Sequence, residues 1–217
     1  LVQNTTGTRN TSVGSYSLDA NTTGSYNTAV GHYALTNNTT ASYNTAVGDR
    51  ALDSNVTGNR NTAVGYKALE DTGNGHDNTA IGYQALDDCA SSNNTAVGSD
   101  ALKLNTSGAS NSALGKGALG DNISGGSNTA IGHNSLGSNT TGNYNVAVGK
   151  DALIANTTAA DNVAVGNGAM LANTTGTQNT ALGTNALDAN TTASFNTALG
   201  YQALGSTTTG AQNTAVG

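Results

Sequence analysis

The chain has no proline, no tryptophan, a single phenylalanine, Phe195, and a single cysteine, Cys89. One cysteine excludes an intrachain disulfide framework. Charged residues make up 9%, against about 25% in ordinary domains. The seven Lys and Arg are spread along the chain with no basic patch, which excludes an electrostatic footprint for nucleic acid. No run of about 20 apolar residues exists, so this segment inserts no such span into a membrane. Hydrophobic residues reach 35%, but much of that is alanine, so a core of several aliphatic layers is excluded. No signal peptide is visible at Leu1, as expected of a processed chain or an internal segment.

What remains is Asn, Thr, Ser, Ala and 29 glycines, with a net charge of −6. That is too uncharged for a typical disordered chain. These residues are ordered in a repeat. The pentapeptide N-T-A-V-G, with small variations, ends at thirteen glycines, Gly14, Gly31, Gly48, Gly65, Gly82, Gly98, Gly115, Gly132, Gly149, Gly166, Gly183, Gly200 and Gly217. Eleven of the twelve intervals are 17 residues; Gly82 to Gly98 is 16. We number coil positions 1 to 17 from the first Asn of the consensus N-T-A-V-G-x-x-A-L-x-x-N-T-T-G-x-x. Position 1 is Asn in all thirteen copies, and position 3 is Ala in all but Ser12. Position 4 is Val, Ile or Leu, position 8 is Ala or Ser, and position 9 is Leu except for Met170. Variation concentrates at positions 6, 7, 10, 11, 16 and 17.

A 17-residue unit is too short for helix-pair repeats, which need over about 30 residues. Asn, Thr and Gly are also weak helix formers. The constant segments N-T-A-V-G and A-L are bounded by residues that accept turn conformations. The pattern predicts an all-β parallel β-solenoid of about 12–13 coils over residues 1–217, each coil holding two short strands and two tight turns. The Asn row (Asn27, Asn44, Asn61, Asn78, Asn94, Asn111 and their equivalents) would then be a structural ladder. Either identical amides about 4.8 Å apart bond along the stack, or each amide bonds backbone in a turn. The strictly small positions 3 and 8 predict a close approach, to the opposite side of the roll or to another subunit. Each coil has only about two sizeable aliphatic side chains, so burial between chains is expected, in a homo-oligomer or filament. The ends carry no capping sequence, which suggests an internal segment of a longer fibre.

The coils Asn27–Gly31 and Asn61–Gly65, with the Ala-Leu that follows each, resemble head repeats of YadA-like trimeric autotransporter adhesins. Ala80–Leu86 and Ala198–Leu204 resemble still more the N-T-A-V-G-Y-Q-A-L repeats of phage tail-fibre-like and bacterial surface proteins. That resemblance implies a left-handed β-roll, three chains about one axis, and a role in attachment. The period is longer than the YadA-like pattern by the N-T-T-G turn, and no anchor, stalk or tip-chaperone sequence is present.

Sites are sparse. His32, His76 and His133 lie far apart, and no catalytic triad can be assembled. Eight of the thirteen acids fall at positions 10 and 11, with Asp71 and Asp88 neighbours across a coil step. Such a row has the hard oxygens of a weak Ca²⁺ site or is simply a solvated acidic stripe. Tyr26 with Tyr43, and Tyr66 with Tyr83, should stack on adjacent coils and offer a surface contact. Asn21, Asn139, Asn156 and Asn173 begin N-T-T sequons, candidates for glycosylation. The leading expectation is an extracellular structural fibre or adhesin shaft on a cell or virion, without catalysis. Its partners would be further copies of itself and a surface glycan or protein receptor. A self-assembling surface filament, an ice-binding solenoid built on the Thr rows, and a glycan-degrading tailspike are the alternatives.

Overall fold

A computed structural model describes residues 2–217. The chain is a parallel β-solenoid. Thirteen three-residue strands, from β1 (Thr11–Val13) and β2 (Thr28–Val30) to β13 (Thr214–Val216), form one sheet in sequence order. Each strand pairs in parallel with the next at strict repeat register, as in Thr28↔Thr45, Ala29↔Ala46 and Val30↔Val47. Chemically identical residues therefore form straight rows along the axis. At about 4.8 Å per coil the sheet is roughly 60 Å long. The 16-residue coil leaves the register intact: Ala80 still faces Ala96.

Side-chain alternation in the strand sets the core. Position 3 points inward and is fully buried alanine in coil after coil, such as Ala46, Ala63 and Ala96. The buried position-8 alanines (Ala34, Ala51, Ala68) and position-9 leucines (Leu35, Leu52, Leu69) complete the core. The coil is thus filled by one Leu and two Ala, and the close approach anticipated at positions 3 and 8 lies within one chain. The exception at position 3 is itself matched. Ser12 hydrogen-bonds Ser17 at 2.6 Å, and Ser17 is the position-8 residue of that same coil. The pair satisfies two hydroxyls where Ala faces Ala in most other coils.

One expectation is corrected. Each coil has one strand, not two, because the Ala-Leu segment is not extended. Position 9 lies in the left-handed region, with φ from 48° at Leu18 to 54° at Leu52. Positions 7 and 17 do the same, as at Lys67 (φ 54°) and Tyr43 (φ 63°). The backbone turns here while still bonding the next coil, through Leu35 N–H to Ala51 O at 3.0 Å. None of the 35 non-glycine residues with positive φ is Val, Ile or Thr. β-Branched side chains clash most in that conformation. Position 9 is therefore Leu or Met, whereas position 4, in the strand, accepts Val and Ile.

Position 5 has to be glycine for two reasons. Its φ lies between 124° and 143°, a region essentially confined to glycine. A Cβ on Gly65 would also sit 2.3 Å from the carbonyl oxygen of Gly82.

Candidate functional site

The distinctive features of the described residues are two polar ladders inside and two ordered rows outside. The position-1 asparagines are buried, and their ladder runs through backbone. Asn44 Oδ1 accepts the backbone N–H of Asn61 at 2.9 Å, and Asn44 Nδ2 donates to Gly58 O at 2.9 Å. The same pair of bonds recurs at Asn27, Asn61, Asn78 and Asn111. Asn94 keeps the first bond, accepting from Asn111 N–H at 3.0 Å. Its Nδ2 turns instead to Ser91 Oγ at 3.0 Å. Both bonding patterns that the sequence left open occur in this row: the side-chain-to-backbone bonds extend from coil to coil, and amide-to-amide bonds join them where Asn128 Nδ2 donates to Asn111 Oδ1 and Asn145 Nδ2 to Asn128 Oδ1, each at 3.2 Å, and Asn213 Nδ2 to Asn196 Oδ1 at 3.0 Å.

The more regular amide-to-amide ladder is at position 12. Asn38 Nδ2 donates to Asn21 Oδ1 at 2.9 Å, Asn55 Nδ2 to Asn38 Oδ1 at 3.0 Å, and Asn156 Nδ2 to Asn139 Oδ1 at 2.9 Å. Each Nδ2 also bonds the carbonyl three residues on, as Asn139 does to Gly142 O at 3.0 Å. This overturns the glycosylation reading of Asn21, Asn139, Asn156 and Asn173. All four are fully buried, with Nδ2 committed to two acceptors inside the coil. A glycan needs that nitrogen and a path to solvent, and the folded coil offers neither. The N-T-T spelling reflects a corner in which Asn turns inward. The following Thr bonds the next coil, as Thr140 Oγ1 does to Thr157 O at 3.0 Å.

Outside, the strands present positions 2 and 4. Position 4 is an unbroken aliphatic row. Val30 is 36% exposed and Leu114 50%, with Val47, Ile81, Ile131, Leu182 and Leu199 in the same exposed class. Of the coil's two sizeable aliphatics, one is core and the other faces outward. Beside it runs the position-2 row, threonine in ten of thirteen copies.

The aromatic pairs stack as anticipated. The ring centroids of Tyr26 and Tyr43 are 4.9 Å apart, and those of Tyr66 and Tyr83 are 5.4 Å apart. The Arg9 guanidinium sits 4.9 Å from the Tyr26 ring and hydrogen-bonds its hydroxyl. A third pair, Tyr16 with Tyr33 at 5.0 Å, lies at position 7 and was visible in the 17-residue spacing.

Several of the acidic residues are tied up by cations. Glu70 receives Lys67 at 2.8 Å and Arg50 at 3.4 Å, and Arg60 grips Asp77 with contacts of 2.6 and 2.8 Å. That guanidinium holds the Asp77 carboxyl below its usual range. Asp71 and Asp88 pair across the coil step as an isolated parallel bridge. Asp87 has no such cation. Burial, then the charges of Glu70 and Asp88, push its carboxyl up to about 6. Asp53 is raised for the same leading reason, burial. Among the described residues no three His, Cys, Asp or Glu are grouped to hold a metal ion. The histidines stay apart, His32 near Asp49 at 3.4 Å and His133 near Asp151 at 3.9 Å. His76 Nδ1 accepts the Asn59 backbone N–H at 2.9 Å.

A trough of about 490 Å³ opens where consecutive coils carry Gly120 and Gly137 at position 10, above Gly117. Lys103 and Leu104 close one end and Ile154 the other, with Asp100, Asp121, Asn134 and Ser138 along the rims. It is open to solvent, with both hydrogen-bonding and apolar walls.

The class that these features define is an all-β parallel β-solenoid with internal asparagine ladders. Compared with protein families, curated proteins and solved structures, the chain matches none.

Proposed function

We propose that this chain is a structural fibre or adhesin shaft that assembles with copies of itself and projects from a cell or virion surface to mediate attachment. The observation that carries the proposal is the position-4 aliphatic row, outward-facing and in strict register through all thirteen strands. Water-exposed aliphatic rows of this length are an association surface. A second copy presents the same row at the same rise, so every coil finds a partner; an unrelated surface would match only locally. Three such rows meeting at an axis is the arrangement implied by the adhesin-like repeats. The two ladders and the continuous parallel sheet suit a stiff spacer. The variable positions, with their stacked tyrosines and the trough over Gly120, are where a glycan or protein receptor would be contacted. No residue is assigned a catalytic role.

The test is analytical ultracentrifugation of the chain at micromolar concentration. A discrete oligomer is expected. The triple substitution Val47→Asp, Ile81→Asp, Leu114→Asp should give monomers that keep their β-sheet circular dichroism, since none of these side chains is in the core. A wild-type chain that stays monomeric at high concentration would remove the assembly and the shaft with it.

A second reading competes for the same face. The registered Thr28 and Val30 rows make a flat, regular, mostly uncharged array that would order water as an ice-binding surface. Thermal hysteresis would support it, and its absence at micromolar protein would discard it.

A further inference from the structure

The solenoid has one irregular corner, and several independent departures from the repeat fall together there. The position-12 amide ladder runs from Asn4 to Asn55 and again from Asn105 to Asn190. Between these tracks the two coils carry Thr72 and Cys89. Thr72 Oγ1 bonds back to Asn55 at 3.1 Å, and Asn105 reaches Cys89 Sγ at 3.6 Å. The side-chain rung between Thr72 and Cys89 is missing, and the two coils are joined there by backbone instead, Asp71 N–H donating to Asp87 O and Cys89 N–H to Asp71 O, each at 2.9 Å. The backbone at position 13 repeats the pattern. Its amide bonds the next coil at Thr22, Thr39, Ala90, Thr106 and Ile123, but not at Val56 or Gly73. This is also where the single-residue deletion falls. The opposite side of the same coils is unbroken: β4 (Thr62–Val64), β5 (Thr79–Ile81) and β6 (Thr95–Val97) stay in register. Asn78 and Asn94 keep their 2.9 Å bonds to the previous coil.

Onto this weakened corner the sequence stacks carboxylates. Asp53, Glu70 and Asp87 occupy position 10 of three consecutive coils, and Asp71 and Asp88 occupy position 11. At about 4.8 Å per coil, like charges in one row repel appreciably unless a cation separates them. Lys67 and Arg50 are both engaged by Glu70. Lys103 turns to Asp100 at 3.6 Å and to Gln84 at 3.1 Å. Asp87 hydrogen-bonds only the neutral amide of Gln84, at 3.1 Å, and feels the Lys67 charge without pairing with it.

We propose that the corner formed by Glu70–Thr72 and Asp87–Cys89 is a pH-sensitive joint, held at neutral pH by its position-11 backbone bonds alone and tightened by protonation of its stacked carboxylates. The sheet side acts as the hinge strap. The sign follows from the direction of the carboxyl shift. A carboxyl whose folded value, about 6, lies above the unfolded value of about 3.9 destabilises the fold when ionised. Closure therefore strengthens as pH falls from about 6 to about 4, and is flat above that window. The inference holds whether or not the chain is a shaft; in a shaft it would put one bendable point in an otherwise uniform rod.

Hydrogen exchange of the whole chain by mass spectrometry, at pH ~5 and ~7.5 and corrected for intrinsic rates, tests this. Peptides spanning Glu70 to Asn93 should gain on the order of tenfold protection at the lower pH relative to the coils from Asn105 to Asn190. Asp87→Asn should raise protection at pH ~7.5 toward the acid level and remove most of the pH dependence. The double substitution Thr72→Asn, Cys89→Asn should protect the corner at both pH values by restoring the rungs. Equal corner protection at the two pH values in the wild type overturns the proposal, whether or not the variants fold. So does a pH dependence that survives Asp87→Asn unchanged.

Discussion

A leucine with φ near 50° is costly in isolation, and this chain contains one in nearly every coil. What compensates is burial: Leu119 is fully enclosed and its amide bonds Ser135 O at 3.0 Å. The constraint on the residue is thus two-fold, apolar and unbranched at Cβ. Leu119→Met should be nearly neutral, because Met170 fills the equivalent place. Leu119→Ile, similar in volume, should cost about 2 kcal/mol more, as expected for a strained backbone with a β-branched side chain. Urea midpoints at constant slope would read the difference. Glycine gives a parallel contrast. Gly65→Ala meets both a forbidden φ of 137° and a carbonyl at 2.3 Å, so a loss of about 2–3 kcal/mol is expected. Gly58→Ala should cost far less, although a Cβ there would also meet a carbonyl at 2.3 Å. Ala41, Ala159 and Ala193 occupy the same coil position, so the corner can give way where it has no φ requirement.

At the scale of the coil, the ladders decide which substitutions are costly. A position-12 amide serves the coil before it and its own turn. Asn156→Ala would remove the acceptor of Asn173 Nδ2, now at 3.2 Å, and the donor to Asn139 Oδ1. Leaving buried amide groups unpaired costs about 1–3 kcal/mol each, so a destabilisation of about 2–4 kcal/mol is predicted by the same urea titration. Asn37→Ala, at an exposed variable position, should be silent within about 0.5 kcal/mol. Much of this was legible in the sequence. The invariant Asn of position 1 marked a ladder, and the 17-residue spacing fixed which tyrosines meet. The position-12 ladder was misread because N-T-T is also the spelling of a sequon. Pattern alone does not say whether an Asn points in or out; the corner's backbone decides that. The single strand per coil was missed for a related reason. Ala-Leu reads as strand until one notices that positions 7, 9 and 17 never hold a β-branched residue, a signal present in the sequence that identifies turns.

At the scale of the molecule, each coil contacts only its neighbours, so stability accumulates along the axis and gives way where neighbour terms are weakest. That place is the corner around Thr72 and Cys89. Limited proteolysis at neutral pH should nick first between Asp71 and Asn93, ahead of the coils from Asn105 onward. Cys89 provides an independent reading. It is buried, and burial raises its thiol above the ordinary range. Its reaction with an aromatic disulfide should be slow in the folded chain and should follow opening of the corner rather than thiolate content. A rate matching that of a free peptide thiol would show that the corner is not closed at all.

The sequence by itself determined the solenoid. A strict repeat places like residues in rows, and only a parallel stack lets an invariant Asn, Ala and Gly serve the same role in coil after coil. Registry, the absence of β-branching at the turns and the polar composition all follow from that repeat. The tertiary structure alone decided which of the two aliphatic rows is core. Both read as hydrophobic, but the corner at positions 7 to 9 turns Leu inward while strand alternation sends position 4 out. It also decided that the N-T-T asparagines face inward, and that a missing rung, a missing residue and five carboxylates meet at one corner. Such coincidences depend on what lies one coil above and below, and become visible only when the chain is wound.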